Sequence, residues 1–262
     1  MKRKILLIGL CIVFAGITLY YGLGLYRQWQ EYRAGEQTYE ELTQYVQPKV
    51  TVQLLTHTID ESHPTEPTPT EEIDNTIWPV VDFEALKIIN PDIVAWIYIE
   101  GTNINYPVVQ SDDNNDYINR LFNGNYSKVG SIFMDYRNPT DLSGRNTVLY
   151  GHNMQDGSMF NQINNYKEQA FFDQHPTALL MTPDKNYRIE FVAGYITDMN
   201  SDAWKMEFAS DKEFSAWLAN ALTLSTFTGN QQPAPQDRVV TFSTCTYEFP
   251  DARYVLVGIL KP

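Results

Sequence analysis

Val239-Val-Thr-Phe-Ser-Thr-Cys245, then Thr246-Tyr-Glu-Phe-Pro-Asp-Ala252, then Arg253-Tyr-Val-Leu-Val-Gly258 is the stretch on which the fold turns. Its two ends are rich in branched and aromatic residues and read as strands, and the middle carries the Pro and Asp of a chain reversal. Two antiparallel strands joined by a turn of that length set Cys245 and Arg253 side by side, one closing its strand and the other opening the next. Taken singly, each has an ordinary explanation. A free cysteine is most often a small buried hydrophobe, and an arginine beside a turn most often pairs with a carboxylate such as Asp251 or Glu248.

Upstream, the same strand chemistry recurs at Ile93 to Ile99, Tyr106 to Gln110, Ser131 to Asp135, Thr147 to Tyr150, Ala178 to Met181 and Tyr187 to Ile196. With Arg238 to Thr244 and Arg253 to Leu260 this makes about eight strands, the number of a closed or nearly closed barrel. Gly, Asn, Asp and Pro clusters separate them. Two helices interrupt the pattern. Asp82 to Asn90 opens on an N-cap aspartate and stops at Pro91. Asp211 to Leu222 follows Ser210 with Glu213 three residues on, a capping box, and its Phe214, Trp217, Leu218 and Leu222 form one apolar face. The fold class is mostly β, a barrel with inserted helices.

The N-terminal third reads differently. Ile5 to Tyr26 is an apolar run of about 22 residues without a charge, enough to cross the ~30 Å hydrocarbon core as a helix. Lys2, Arg3 and Lys4 precede it, so the positive-inside rule puts residues 1–4 in the cytoplasm and the rest outside. A cleaved signal peptide is the rival reading, but its apolar core is ordinarily shorter and no small-x-small cleavage site follows Tyr26. Residues 27–78 read as an extracellular stalk, with a helix leaving the membrane and a Pro/Thr-rich run at 63–72 that disfavours regular structure. Anchor and spacer are expected to serve location alone, leaving 79–262 as one globular domain.

The formal charge of -13 at pH 7 argues against a nucleic-acid partner, since Lys and Arg are scattered and form no basic patch. Cys11 lies in the apolar run and Cys245 near the far end, so they are not expected to pair. A lone thiol outside the cell invites a chemical explanation. His152 ends the strand in Thr147-Val-Leu-Tyr-Gly-His-Asn-Met154, where Gly151 permits close backbone approach. It is either a satisfied structural histidine or the proton-handling partner of Cys245. His57 and His63 fall in the stalk, and His175 precedes Pro176 in a loop. Arg253 offers a permanent charge and several donors to a developing oxyanion. One usable cysteine and one well-placed histidine fall short of a zinc site. Asp112-Asp-Asn-Asn-Asp116 lacks the glycine and glutamate of a calcium loop and reads as a polar turn. No cofactor is expected.

Tyr150-Gly-His152, Thr241-Phe-Ser-Thr-Cys245 and Asp251-Ala-Arg-Tyr-Val-Leu-Val-Gly258 together resemble the signatures of the sortase family, in the family's order of His, Cys, Arg. Trp96-Ile-Tyr-Ile, Asn105-Tyr-Pro-Val-Val-Gln110 and the helix before the cysteine strand resemble class B. Phe242 stands where the family more often has leucine, and Thr246 where some members carry an acidic residue. The resemblance spans about Asp82 to Leu260. It implies an eight-stranded barrel outside a Gram-positive cell, with 79–262 as catalytic domain. It further implies a cysteine transpeptidase that cuts a C-terminal sorting motif of surface proteins after Thr. The acyl group passes to an amine of a peptidoglycan precursor or a pilin lysine. His152, Cys245 and Arg253 are then catalytic, and Tyr150, Ser243, Thr244 and the loop from Thr197 to Phe208 contact substrate. Two alternatives stay open: a secreted cysteine protease that hydrolyses its acyl-enzyme, and a wall-binding module with an inert thiol.

Overall fold

The computed structural model describes residues 2–48 and 78–262. The Pro/Thr-rich run at 63–72 lies outside them. The chain begins with helix α1 (Lys2–Leu42), strand β1 (Val46–Pro48), strand β2 (Pro79–Val81) and helix α2 (Phe83–Ile89). Eight strands follow: β3 (Ile93–Tyr98), β4 (Asn105–Val109), β5 (Ile132–Met134), β6 (Asn146–Tyr150), β7 (Thr177–Met181), β8 (Asn186–Asp198), β9 (Val239–Cys245) and β10 (Ala252–Lys261). They close into a barrel in the order β10-β8-β7-β3-β4-β5-β6-β9, with β9 returning to β10. Only β4–β5 and β6–β9 are parallel. Each expected strand is present, its ends shifted by one or two residues.

The barrel strands are near-continuous apolar runs because both of their faces are covered. In β10, Tyr254, Leu256 and Leu260 join the main core with Trp96, Phe160, Phe191 and Phe242. The alternating Val255, Val257 and Ile259 join a second cluster with Phe214, Trp217 and Leu218 of the helix Asp211–Leu224. Ser210 caps that helix by accepting from the Glu213 amide at 3.2 Å. The reciprocal half of the capping box is displaced by one residue, because Glu213 accepts from the Ala209 amide. Asp82 caps α2 through the Ala85 amide at 3.0 Å. Between β6 and β7 run a 3₁₀ segment (Asn161–Lys167) and helix α3 (Gln169–Gln174).

The start of α1 is long and apolar enough to cross a membrane, and its side chains, among them Leu10, Phe14 and Leu25, are exposed. Its far end departs from the expected stalk. Tyr39 and Leu42 are buried in the main core, and Gly35 sits so close to Val129 that a Cβ would meet Val129 Cγ2 at 2.9 Å. β1 then pairs antiparallel with β2, Val46 opposite Val81 and Pro48 opposite Pro79. Residues 35–48 are thus packed parts of the domain rather than spacer. Few apolar residues mark this docking, and the strand that completes it lies far along the chain.

Candidate active site

The parallel β6–β9 seam and the β9–β10 hairpin meet at one rim of the barrel. In the seam Tyr150 lies opposite Ser243, the Gly151 amide donates to the Ser243 carbonyl, and the Thr244 hydroxyl donates to the Gly151 carbonyl at 2.8 Å. The chain beyond β6 therefore runs alongside the end of β9, carrying His152 toward Cys245. Only glycine fits at 151, since a Cβ there would stand 2.5 Å from Ile132 Cδ1 and 2.7 Å from Phe160. In the hairpin Arg253 is the register partner of Cys245. The reversal is closed by Ala252 N to the Phe249 carbonyl and Thr246 N to the Ala252 carbonyl, with Asp251 in the left-handed region at φ 59°.

Cys245 is half-buried, and two asparagines hold its carbonyl: Asn153 Nδ2 donates at 2.8 Å and Asn164 Nδ2 at 3.2 Å. Asn161 in turn donates to Asn153 Oδ1 at 2.7 Å. His152 Nε2 lies 2.7 Å from the Ile118 carbonyl oxygen. A carbonyl only accepts, so Nε2 carries a proton and Nδ1 is the nitrogen left for chemistry. Arg253 Nη1 donates to the Ala252 carbonyl at 3.0 Å and Nη2 approaches Met199 Sδ at 3.1 Å. Neither partner carries charge, and among the described residues Arg253 makes no salt bridge. The two carboxylates that offered an ordinary explanation do not take it. Glu248 accepts from Lys167 and from the Thr246 hydroxyl. Burial opposes ionisation of its carboxyl, but those bonds outweigh it and hold the group down at about 2. Asn153, Asn164, Lys167, Thr246, Tyr247 and Glu248 line a polar recess of about 340 Å³ beside Cys245. A larger recess of about 650 Å³, between α1 and the barrel, is lined by none of the three candidate residues.

The other candidates are less open. Ser243 and Thr244 are buried. The Tyr150 hydroxyl donates to Asp135 Oδ2 at 2.9 Å, so it faces that carboxylate and makes no bond to His152. Asp135 is fully buried and also accepts from Arg137 in a bidentate pair and from Asn114. Burial alone favours its neutral form, yet these donors outweigh it and keep its carboxyl below the ordinary range. Asp113 accepts from the amides of Asn115 and Asp116 and so closes the acidic turn on itself. The sequence offered no cue to Asn153, Asn164 or the Ile118 carbonyl, the last two of which lie in short 3₁₀ segments too brief to show a period.

A model of the sortase domain matches residues 97–261. Sortase B of Listeria monocytogenes is 36% identical over 177 residues, 67% of this chain and 72% of that protein. The Staphylococcus aureus sortase B–substrate complex superposes with a TM-score of 0.65 at 33% identity, covering 68% of this chain and 83% of that one. A crystal structure of a sortase B complexed with triglycine gives the same score and identity, covering 68% and 84%. The closed barrel and these relatives define a cysteine transpeptidase. The chain belongs to the sortase family, and its similarity is to the class B members.

Proposed function

We propose that the chain is a membrane-anchored transpeptidase in which Cys245 is the nucleophile, His152 the proton carrier and Arg253 the oxyanion donor. One observation carries the assignment: Arg253 is the register partner of the half-buried Cys245, and its guanidinium is spent on a carbonyl and a thioether rather than on a carboxylate. Sγ of Cys245 attacks the threonine carbonyl of a sorting motif as the thiol proton passes to Nδ1 of His152. Arg253 donates to the oxygen as it becomes negative, in a half-buried setting where such bonds gain strength. The scissile C–N bond breaks, the proton on Nδ1 goes to the leaving amine, and a thioester remains on Cys245. An acceptor amine then attacks the thioester and gives its proton to Nδ1, the C–S bond breaks as the new amide forms, and the proton on Nδ1 returns to Sγ to restore the thiol.

Tyr150, Ser243 and Thr244 form the floor of the substrate groove, and the loop from Thr197 to Phe208 forms one wall, with Met199 lying over Arg253. That structures of relatives were solved in complex with substrate and with triglycine supports a peptide donor and an amine acceptor. Residues 5–26 span the membrane with 1–4 in the cytoplasm, and 79–262 act outside the cell. The acceptor is an amine of a peptidoglycan precursor or a pilin lysine. The test is intact-mass trapping of an acyl adduct on Cys245 from a library of C-terminal sorting peptides, with and without an amine acceptor. A thioester that becomes a ligated product when the amine is added supports transfer. Hydrolysis alone in the presence of amine marks a protease, and no adduct at all marks an inert thiol.

A further inference from the structure

We infer that Tyr39, at the docked end of α1, is a positioning residue for His152, an inference that rests on the proton-carrier role proposed for that histidine. The Tyr39 hydroxyl is buried and donates to the Gly130 carbonyl at 2.6 Å, with Ser131 Oγ 3.0 Å away. Gly130 has φ +63°, and a Cβ on it would stand 2.4 Å from the Ile118 carbonyl oxygen and 3.1 Å from His152 Cδ2. Gly130, whose carbonyl Tyr39 holds, therefore lies against both the imidazole ring and the acceptor that receives the ring's Nε2 proton. The Ser131 amide donates to the Tyr117 carbonyl, and Ser131 Oγ to the Arg120 carbonyl, which fold the two arms of this segment together around Ile118.

A second path reaches the same histidine through Tyr106. The Tyr39 ring packs edge-on against Tyr106, centroids 5.2 Å apart. The Tyr106 hydroxyl accepts from the Met159 amide at 3.2 Å. Met159 bridges Asn153, and the adjoining Phe160 amide donates to the His152 carbonyl at 2.9 Å. One side chain of α1 thus braces both the acceptor of the imidazole and the turn that bears it. Small displacements of a proton carrier cost rate steeply, so loss of the brace acts on the chemical step rather than on substrate affinity.

Tyr39→Phe in the full-length chain, in detergent or vesicles, keeps the ring and removes only the hydroxyl. It is expected to lower kcat by about 10-fold while KM for the sorting peptide stays within about two-fold. The slowly exchanging Nε2 proton resonance of His152 should broaden or vanish. Gly35→Ala is the second arm, because alanine favours the helix while its Cβ pushes α1 off Val129; it should give the same kcat-only loss. His152→Ala runs beside them. If it is inactive while both α1 variants keep wild-type kcat, or lose kcat with the Nε2 resonance unchanged, the positioning role is overturned and the histidine assignment stands. If His152→Ala remains active, the proton-carrier assignment fails and takes the inference with it.

Discussion

Arg253→Lys separates transition-state stabilisation from ordinary packing. Lysine keeps the charge but loses the planar fork of donors, so a role in holding the oxyanion depends on geometry that lysine does not reproduce. Removing one oxyanion donor typically costs about 10²–10³ in rate, roughly 2.7–4 kcal/mol of transition-state binding. The stability cost is small by comparison. Arg253 is half-buried and donates to one carbonyl and one thioether, with no ion pair to break among the described residues. Loss of such a bond costs about 0.5–1.5 kcal/mol, which for a domain of this size lowers Tm by roughly 1–6 °C. The assay is the single-turnover rate of acyl-enzyme formation with a sorting peptide, read beside the thermal midpoint. Acylation slowed about 100-fold or more with Tm nearly kept is the expected result. Acylation within a few-fold of wild type would refute the oxyanion role, and backbone donors near Cys245 would replace it.

Cys245→Ala is expected to abolish both cleavage and ligation while leaving the denaturation midpoint close to wild type, since the half-buried side chain loses only its sulfur; turnover in the purified variant would sink the nucleophile assignment. Deleting residues 1–30 should leave a soluble, active enzyme, whereas deleting 1–70 also removes Tyr39, Leu42 and β1. At about 1.5–3 kcal/mol for each large buried side chain, the longer deletion should lower Tm by roughly 6–24 °C, and equal midpoints would show that the docked end of α1 adds nothing. Asp135 titrates below its unfolded value, so the stability it contributes is present above about pH 4 and lost as pH falls through its folded value. Urea midpoints should therefore fall below about pH 4 in wild type and stay flatter in Asp135→Asn, which starts lower at pH 7 by about 1.5–3 kcal/mol for bonds to a charged group.

The barrel was legible because its strands are covered on both faces. Runs such as Val239 to Cys245 carry branched and aromatic side chains at nearly every position, and turn residues bound them. The adjacency of Cys245 and Arg253 followed from spacing alone, because a hairpin pairs residues symmetrically about its turn. The companions of these residues were not legible, for three physical reasons. Ile118 contributes a main-chain carbonyl, which any residue supplies, so no side chain marks it. Asn153 sits in a polar turn and Asn164 in a short polar 3₁₀ segment, where nothing distinguishes a bonded asparagine from a solvated one. Tyr39 and Leu42 lie among Glu and Gln on a helix whose docked face is too short to show a period, and β1 finds its partner only across an intervening segment.

That last pairing changes what the Pro/Thr-rich segment can do. Pro48 ends β1 directly opposite Pro79, where β2 begins, so the chain between them leaves and returns at one place on the domain. A segment with both ends fixed to the same ladder does not separate a barrel from a membrane, whatever its composition. Helix α1 runs without a break from Lys2 to Leu42. With residues 5–26 in the bilayer as proposed, the remaining helix from Arg27 to Leu42 rises about 24 Å at 1.5 Å per residue. A helix fixes height and direction together, where a Pro/Thr spacer fixes only a maximum reach. Tyr32 packs against the core, Gly35 lies against Val129, and Tyr39 and Leu42 are buried, so this stretch runs along the barrel and the proposed span would hold the domain in one orientation to the bilayer. Because Tyr39 lies on this docked stretch, the helix that carries the proposed span is also the one inferred to brace His152.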